Sequence, residues 1–334
     1  MDVTGEQKVV VPANLRALYA PVADELVAVE EFLRRELSSD NPFVNRLAQH
    51  GFRLGGKRLR PALVLLTAKA CGNLREEHVR LAAMAELIHT ATLVHDDVLD
   101  EATIRRHLDT VNARWNNEAS ILLGDYLFAR AMCLASASDD SFASRMVSET
   151  ARRMCEGELR QIEGRGDYEL GESDYFDIIA GKTAALTACC CHVGAHYARA
   201  DENACQAMAR YGYDLGIAFQ IADDVLDLLG DEETVGKTLG SDLVKQKATL
   251  PLIRLLSSVG TDDRTQIISL LKREGNHHRD ALKAWFDRCD AIPYARQKAI
   301  SFTERAADEL AAVPAGDATT SLRGLTEFVV SRHQ

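Results

Sequence analysis

No proline occurs between Pro61 and Pro251. At ordinary usage of about 5% a stretch of that length would hold several, and proline disrupts helix interiors. The gap predicts a succession of long helices. Alternating apolar–polar strands and Asn-Gly hairpin turns are missing too, so the chain reads as all-α. Positive charge is in deficit: 39 Lys and Arg against 50 Asp and Glu leave a formal net charge of −11. That balance excludes general nucleic-acid binding, which needs a basic footprint to displace phosphate counterions. The eight cysteines contain the run Cys189-Cys190-Cys191 but no CxxC pair, so no zinc framework or thioredoxin-type motif is visible. They read as small core residues in a reducing cytoplasm. Met1 to Pro12 carries acids without an apolar core, unlike a signal peptide. No run approaches the ~20 uninterrupted apolar residues of a membrane span. The expectation is a soluble, cytoplasmic protein.

The chain offers helical periodicity instead. Val79 to Leu99, Ser120 to Ala137, Ser144 to Ile162 and Asp174 to Arg199 are rich in Ala, Leu, Met and Glu, with apolar residues at three- and four-residue spacing. Breaks fall at Cys71-Gly72-Asn73, Arg106 to Val111, Ser138 to Ser141, Gly164 to Gly171, Gly230 to Gly240 and Gly275 to His278. Such short connections join antiparallel helices. With no dividing linker, residues 1–334 read as one domain: a motif-bearing core over about 50–255, then helices over 256–334 to which no chemistry is assigned. His277 and His278 read as solvated residues of a polar turn.

The pentapeptide Asp96-Asp97-Val98-Leu99-Asp100 returns unchanged as Asp223-Asp224-Val225-Leu226-Asp227. Each copy follows an apolar run, which places it inside a helix or near its C-terminal end. Positions i, i+1 and i+4 share a face, so three carboxylates point together. Like charges repel at that spacing, and anions near a helix C-terminus oppose the macrodipole. A compensating cation is called for. Mg2+ fits, because it takes one or two carboxylates and completes its shell with water and substrate phosphates. The two clusters read as acidic walls for a diphosphate.

Local basic groups support an anionic ligand. Gly55-Gly56-Lys57-Arg58-Leu59-Arg60-Pro61 sets backbone amides, Lys and Arg at a helix start. Arg105 and Arg106 follow the first acid cluster, where they serve either as helix C-capping cations or as bidentate diphosphate ligands. Lys182, Lys237 and Lys247 add charge of the kind a departing diphosphate needs. Glu86-Leu87-Ile88-His89 matches the Glu-x-x-His of di-iron proteins, but that design needs a second copy on a partner helix and two further glutamates, and the other Glu-x-x-His, Glu274 to His277, runs into the break at Gly275 to His278.

Taken together, these motifs resemble the trans-isoprenyl diphosphate synthase family of chain-elongating prenyltransferases. The likeness runs from about Gly55 to Pro251. It includes Gly-Gly-Lys-Arg-Leu-Arg-Pro, both Asp-Asp-x-x-Asp motifs, the Arg pair, Gly124-Asp125-Tyr126, Gly181-Lys182-Thr183 and Phe219-Gln220. The resemblance implies a large antiparallel helical bundle with a central active-site cavity, and a homodimer. It implies that Lys57, Arg60, His89 and Arg106 hold isopentenyl diphosphate. It further implies that Arg105, Lys182, Thr183, Gln220, Lys237 and Lys247 meet the allylic diphosphate. Three Mg2+ ions would sit on Asp96, Asp97, Asp100, Asp223, Asp224 and Asp227. Transient membrane contact would accompany product release.

Two departures stand out. After the Arg pair the family continues Gly-x-Pro-Thr, whereas this chain reads His107-Leu108-Asp109-Thr110. Ahead of Thr-Leu-Pro the family's Gly-Lys is Gln246-Lys247. Both changes bear on how loops close over substrate. For product length, the chain should grow along the helix of the first cluster. Thr92, Ala91 and Ile88 lie one to two turns below the aspartates at ~1.5 Å per residue. Short-chain relatives block this path with an aromatic; here it is open, with Ile88, Phe128 or Met132 as floor. A medium- or long-chain product of about C30–C45 is expected, with a geranylgeranyl or farnesyl diphosphate synthase as the shorter alternative. A terpene cyclase would not need the intact Lys57–Arg60 segment. A regulatory subunit of a two-chain synthase typically loses aspartates that are all present here.

Overall fold

A computed structural model describes residues 13–72, 74–230, 240–273, 275 and 278–331. Packing divides the chain into two compact units. The first comprises Met1–Arg145, Val193–Glu202 and Val313–Leu322; the second comprises Met146–His192, Asn203–Ala312 and Arg323–Gln334.

The first unit contains α1 (Ala13–Leu18), α2 (Ala23–Glu36), α3 (Pro42–Arg53), α4 (Leu59–Ala70), α5 (Glu76–Leu99), α6 (Val111–Arg114) and α7 (Asn117–Ser136). Between α5 and α6 lie β1 (Ile104–Arg105) and β2 (Leu108–Asp109). The organising element is α5, which carries the first acid cluster. Its 24 residues include neither Gly nor Pro, and Glu76 and Glu77 in its first turn favour the positive end of the helix dipole. The buried His78 accepts from the Arg75 amide through Nδ1 at 3.0 Å. Its other ring nitrogen therefore donates to the Gly194 carbonyl at 3.2 Å. α5 packs along α7, α4 and α2, burying Leu81, Met84, Ile88 and Ala91. A fully buried Leu or Ile contributes about 1.5–3 kcal/mol. Gly124 of α7 permits the closest approach, since a Cβ there would stand 2.1 Å from His95 Nε2.

The all-α expectation holds with one correction. Arg106 and His107 form the two-residue turn of a hairpin in which Ile104 pairs with Asp109 and Arg105 with Leu108. Both turn residues are left-handed, at φ 51° and 62°, the conformation that suits a right-twisted hairpin. Strands of two residues are too short to show alternation, and neither turn residue is the Asn or Gly that usually marks such a turn.

The second unit contains most of α8 (Phe142–Glu163), then α9 (Glu172–Ile179), most of α10 (Ala185–Tyr197) and nearly all of α11 (Glu202–Leu229). After these come α12 (Ser241–Val244), α13 (Leu250–Ser258), α14 (Thr261–Leu271), α15 (His278–Phe286), α16 (Ala291–Glu309) and the end of α17 (Asp317–Ser331). Ile217, Ile221, Val225 and Leu228 form one face of α11 and bury against Leu243, Leu250, Leu252 and Leu255. Asp223, Asp224 and Asp227 share that helix, so the core fixes the register of the second cluster. His278 corrects an expectation: it is buried at 6%, because it begins α15 on the face continued by Leu282 and Phe286. His277 lies outside the described residues.

Among the described residues two stretches are long and apolar enough to cross a membrane by those measures alone. The Glu172–Tyr197 run buries 72% of its apolar window within the protein, and α7 buries 44%.

Candidate active site

In the first unit the chain ahead of α4 and the hairpin build a cationic corner. Arg58 adopts φ 53° and opens α4 from a left-handed position. This turns its side chain inward, to 5% exposure, where it pairs with Glu30 and, at 2.6 Å, with Glu86. Burial opposes its charge, yet Glu86 and Glu30 hold Arg58 above its ordinary value. The basic triplet therefore divides. Arg58 ties α2 to α5 and is not an anion ligand, while Lys57 and Arg60 on either side are only partly buried. Glu86 is consumed by the same pairing, which removes the di-iron reading.

Arg106 packs beneath this segment and donates to the Leu54 carbonyl at 3.0 Å. Gly56 makes room, since a Cβ there would lie 1.9 Å from Arg106 Nη1. Gly55 does the same for Arg58, whose Nη1 would stand 2.2 Å from an added Cβ. His89 is pushed well below the ordinary histidine value, first by burial and then by the charges of Arg60, Arg106, Arg105 and Arg58. It is a neutral imidazole near pH 7, set among four guanidinium groups. Lys57, Arg60, His89 and Arg106 thus share one neighbourhood.

Arg105 faces the acid cluster. Its Nε and Nη2 both reach Asp97 Oδ1, at 2.8 and 2.7 Å. It is not a helix C-cap, because α5 has ended and the hairpin folds back to deliver it. Asp97 is fully buried, whereas Asp96 and Asp100 are partly exposed. Ile88 and Ala91, farther down α5, are buried; Thr92, Phe128 and Met132 are half-buried.

In the second unit a cleft is lined by Gln161, Tyr175, Lys182, Gln220, Asp224, Asp242 and Lys247, among others. Lys182 and Thr183 lie in a π-helical turn, Ala180–Ala184, between α9 and α10, and such turns recur at functional sites. The turn presses against α8 so closely that a Cβ on Gly157 would meet Lys182 N at 2.6 Å. A Cβ on Gly181 would meet Arg153 O at 2.7 Å. Lys182 Nζ reaches Glu158 Oε2 at 2.5 Å and Gln161 Oε1 at 2.8 Å. Thr183 Oγ1 donates to Gln220 Oε1 at 2.7 Å, and Gln220 Nε2 donates to Asp224 Oδ1 at 2.8 Å. Tyr175 donates its hydroxyl to Asp224 Oδ2 at 2.7 Å. Burial, followed by the charge of Asp242, pushes the Asp224 carboxyl well above the usual range, against the pull of those hydrogen bonds. Asp227 is buried and accepts from Ser241 Oγ and the Asp242 amide, at 3.2 and 3.1 Å. Asp223 is more exposed than Asp224 or Asp227. Lys247 Nζ stands 3.6 Å from Asp242 Oδ1. Lys237 lies outside the described residues.

The polyprenyl synthetase family profile matches residues 41–288, well over half of the chain. The chain belongs to the polyprenyl synthetase family. The all-trans-nonaprenyl-diphosphate synthase (geranyl-diphosphate specific) of Rhodobacter capsulatus is 36% identical over 318 residues, covering 95% of this chain and 98% of that one. The octaprenyl diphosphate synthase of Escherichia coli is 34% identical over 324 residues, covering 96% and 99%. The crystal structure of a polyprenyl synthase from Caulobacter crescentus, complexed with calcium and isoprenyl diphosphate, matches with a TM-score of 0.90 at 33% identity over 96% of this chain and 98% of that one. This polyprenyl synthetase is a prenyl-transferring enzyme with the all-α isoprenoid synthase fold.

Both departures from the family's glycines now have a backbone context. His107 and Gln246 stand where the family pattern places glycine, and both are left-handed, at φ 62° and 53°. In this synthetase non-glycine residues hold a left-handed backbone at both positions. Glu158, Gln161, Tyr175 and Asp242 also line or brace the site, and sequence reasoning missed all four. Glu158 and Gln161 were detectable as polar residues following Gly157 at helical spacing, and Tyr175 as about two turns before Gly-Lys-Thr. Nothing local linked any of them to its partner.

Among the described residues no three His, Cys, Asp or Glu side chains converge in a ready-made metal site. The donor set nonetheless suits Mg2+. Hard carboxylate oxygens on each cluster and nearby cations match an ion whose shell is completed by water and phosphate.

Proposed function

We propose that this polyprenyl synthetase condenses isopentenyl diphosphate with an allylic diphosphate, in a Mg2+-dependent reaction, to give an all-trans product of about C30–C45. The observation that carries this reading is the cleft in which Lys182, Lys247 and Gln220, the last braced by Thr183, lie beside Asp224 and Asp242. It pairs donors for a diphosphate with carboxylates for a hard cation. Lys57, Arg60, His89 and Arg106 form the isopentenyl diphosphate corner; neutral His89 donates one hydrogen bond without adding a fifth charge. Lys182 and Lys247 stabilise the negative charge that develops on the allylic diphosphate as its C–O bond breaks. Asp96, Asp97 and Asp100, and likewise Asp223, Asp224 and Asp227, would hold Mg2+, which when bound would add charge stabilisation for a leaving diphosphate. The double bond of isopentenyl diphosphate attacks the allylic carbon, and loss of a proton restores an alkene. No side chain is assigned as the base.

The medium- to long-chain reading rests on the small Ala91 and Thr92 and on relatives that make octaprenyl and nonaprenyl products. A homodimer belongs to the same proposal. Ile121 and Leu122 of α7 are 45% and 66% exposed, an apolar face that a second copy would cover. Product release at a membrane surface and a cytoplasmic location complete it; vesicle co-sedimentation and cell fractionation test those two. One domain over residues 1–334 is our reading of the two units.

The test is incubation of the purified protein with Mg2+, isopentenyl diphosphate and each allylic primer in turn, with products sized by mass spectrometry. A ladder ending beyond C20 supports the proposal. A stop at C15 or C20 overturns the chain length, and no elongation with any primer overturns the activity.

A further inference from the structure

Tyr175 belongs to none of the motifs that mark the family resemblance, yet its side chain is 3% exposed and its hydroxyl ends on a carboxylate of the second acid cluster. The ring is seated among Ile179, Ile217, Ile221 and other core residues, with Phe176 edge-on at 5.5 Å. Packing alone would be met by phenylalanine. What the hydroxyl adds is one end of a hydrogen-bonded chain that runs from Tyr175 through Asp224 and Gln220 to Thr183. Asp224 accepts Tyr175 Oη–H on Oδ2 and the Gln220 amide N–H on Oδ1, at 2.7 and 2.8 Å. That fixes the Gln220 amide with its nitrogen toward Asp224 and its oxygen toward Thr183, whose hydroxyl donates to it at 2.7 Å. The Thr183 proton is thereby turned to Gln220, and the second N–H of Gln220 Nε2 is directed by the same choice. Release one end and the amide has two orientations instead of one.

We propose that Tyr175 is a positioning residue for the reaction: by clamping Asp224 it fixes Gln220 and Thr183 in the orientation that receives the allylic diphosphate. This rests on the reading of the cleft as the allylic diphosphate site. Tyr175 is buried with its hydroxyl spent on Asp224, so its effect passes through Asp224 and Gln220. Its loss should therefore weaken allylic diphosphate binding and leave isopentenyl diphosphate binding as it was.

The test is Tyr175→Phe, which deletes one oxygen from a packed ring. Binding of a non-ionising allylic thiolodiphosphate in the presence of Mg2+ is measured by calorimetry, alongside binding of isopentenyl diphosphate as a control for the fold. The expected result is roughly tenfold weaker analogue binding, the scale of one hydrogen bond to a charged group, with isopentenyl diphosphate affinity within twofold of wild type. In an Asp224→Asn background the same substitution should change analogue binding by less than twofold, because an amide with one acceptor oxygen in place of two no longer accepts from both Tyr175 and Gln220 and the clamp is already broken. Equal analogue affinity for wild type and Tyr175→Phe overturns the proposal, as does an equal loss in both backgrounds. A parallel loss for both ligands assigns Tyr175 to stability and overturns it too. If wild-type protein fails to bind the analogue with Mg2+, the reading of the cleft falls first and this inference with it.

Discussion

Replacing Gly56 by alanine should separate substrate binding from folding. A Cβ at that position would stand 1.9 Å from Arg106 Nη1 and 2.2 Å from both Cζ and Nη2. Ordinary contact is about 3.5 Å, so the guanidinium must retreat by roughly 1.5 Å and release its hydrogen bond to Leu54 O. Gly56 is not among the positive-φ residues, so alanine brings no backbone strain, and the atoms that must move are the end of a flexible side chain. Stability should fall by less than about 1 kcal/mol, within the usual range for substitutions outside a core. Function should suffer far more, because a displacement of ~1 Å at a positioned group can reduce rate about 100-fold. Steady-state kinetics with isopentenyl diphosphate varied at saturating primer should show kcat/KM reduced about 10- to 100-fold, with the KM for primer within about threefold of wild type. Arg106→Ala should show a similar loss, and the double variant should be no worse than either single one. An unchanged KM for isopentenyl diphosphate in Gly56→Ala would refute the placement of Arg106 in that site.

Three further outcomes follow from the same structure. His107→Gly and Gln246→Gly should each raise stability by about 0.5 kcal/mol, the ~1–2 kcal/mol of left-handed strain less the entropic cost of glycine; a fall in thermal midpoint for either would contradict this. Asp214, at 3% exposure, has its carboxyl pushed up to about 6 by burial, against the pull of Arg305 at 2.9 Å. An acid raised on folding contributes stability below its unfolded value of 3.8 that is lost as pH climbs through about 6. Asp214→Asn should therefore stabilise the protein by about 1–2 kcal/mol at pH 7.5 and flatten that part of the pH–stability curve, as urea titrations at stepped pH would show. Ala91→Phe should shorten the product by two or more isoprene units; an unchanged mass spectrum would remove Ala91 from the chain-length path.

How far the sequence was legible depended on how far each signal had to reach along the chain. The helices were legible because a missing proline and a three- to four-residue period are local properties; α5, α7 and α8 lie within a few residues of their expected bounds. The hairpin was not, since two-residue strands have no period to detect. Lys57, Arg58 and Arg60 are chemically alike, and only the left-handed backbone at Arg58 decides which one turns inward. Its partners Glu30 and Glu86 each lie 28 residues away. The π-turn was hidden because Ala180–Ala184 has the composition of ordinary helix. Tyr175 and Asp224 are separated by 49 residues, and no spacing rule joins them. Motifs whose chemistry lies in their own residues were readable. The groups that brace those motifs were not, because what selects them is tertiary packing.

The two pentapeptides make the same point in reverse, since identical residues end in unlike surroundings. On α5 the buried middle carboxylate, Asp97, meets a full positive charge, Arg105, carried on a hairpin eight residues away. On α11 its counterpart Asp224, among the described residues, accepts from a phenol and an amide, with Asp242 and Asp223 adding negative charge. Neutral hydrogen bonds orient a carboxylate but do not cancel its charge, so the middle carboxylate of the same pentapeptide is held by an ion pair in one copy and by neutral donors in the other.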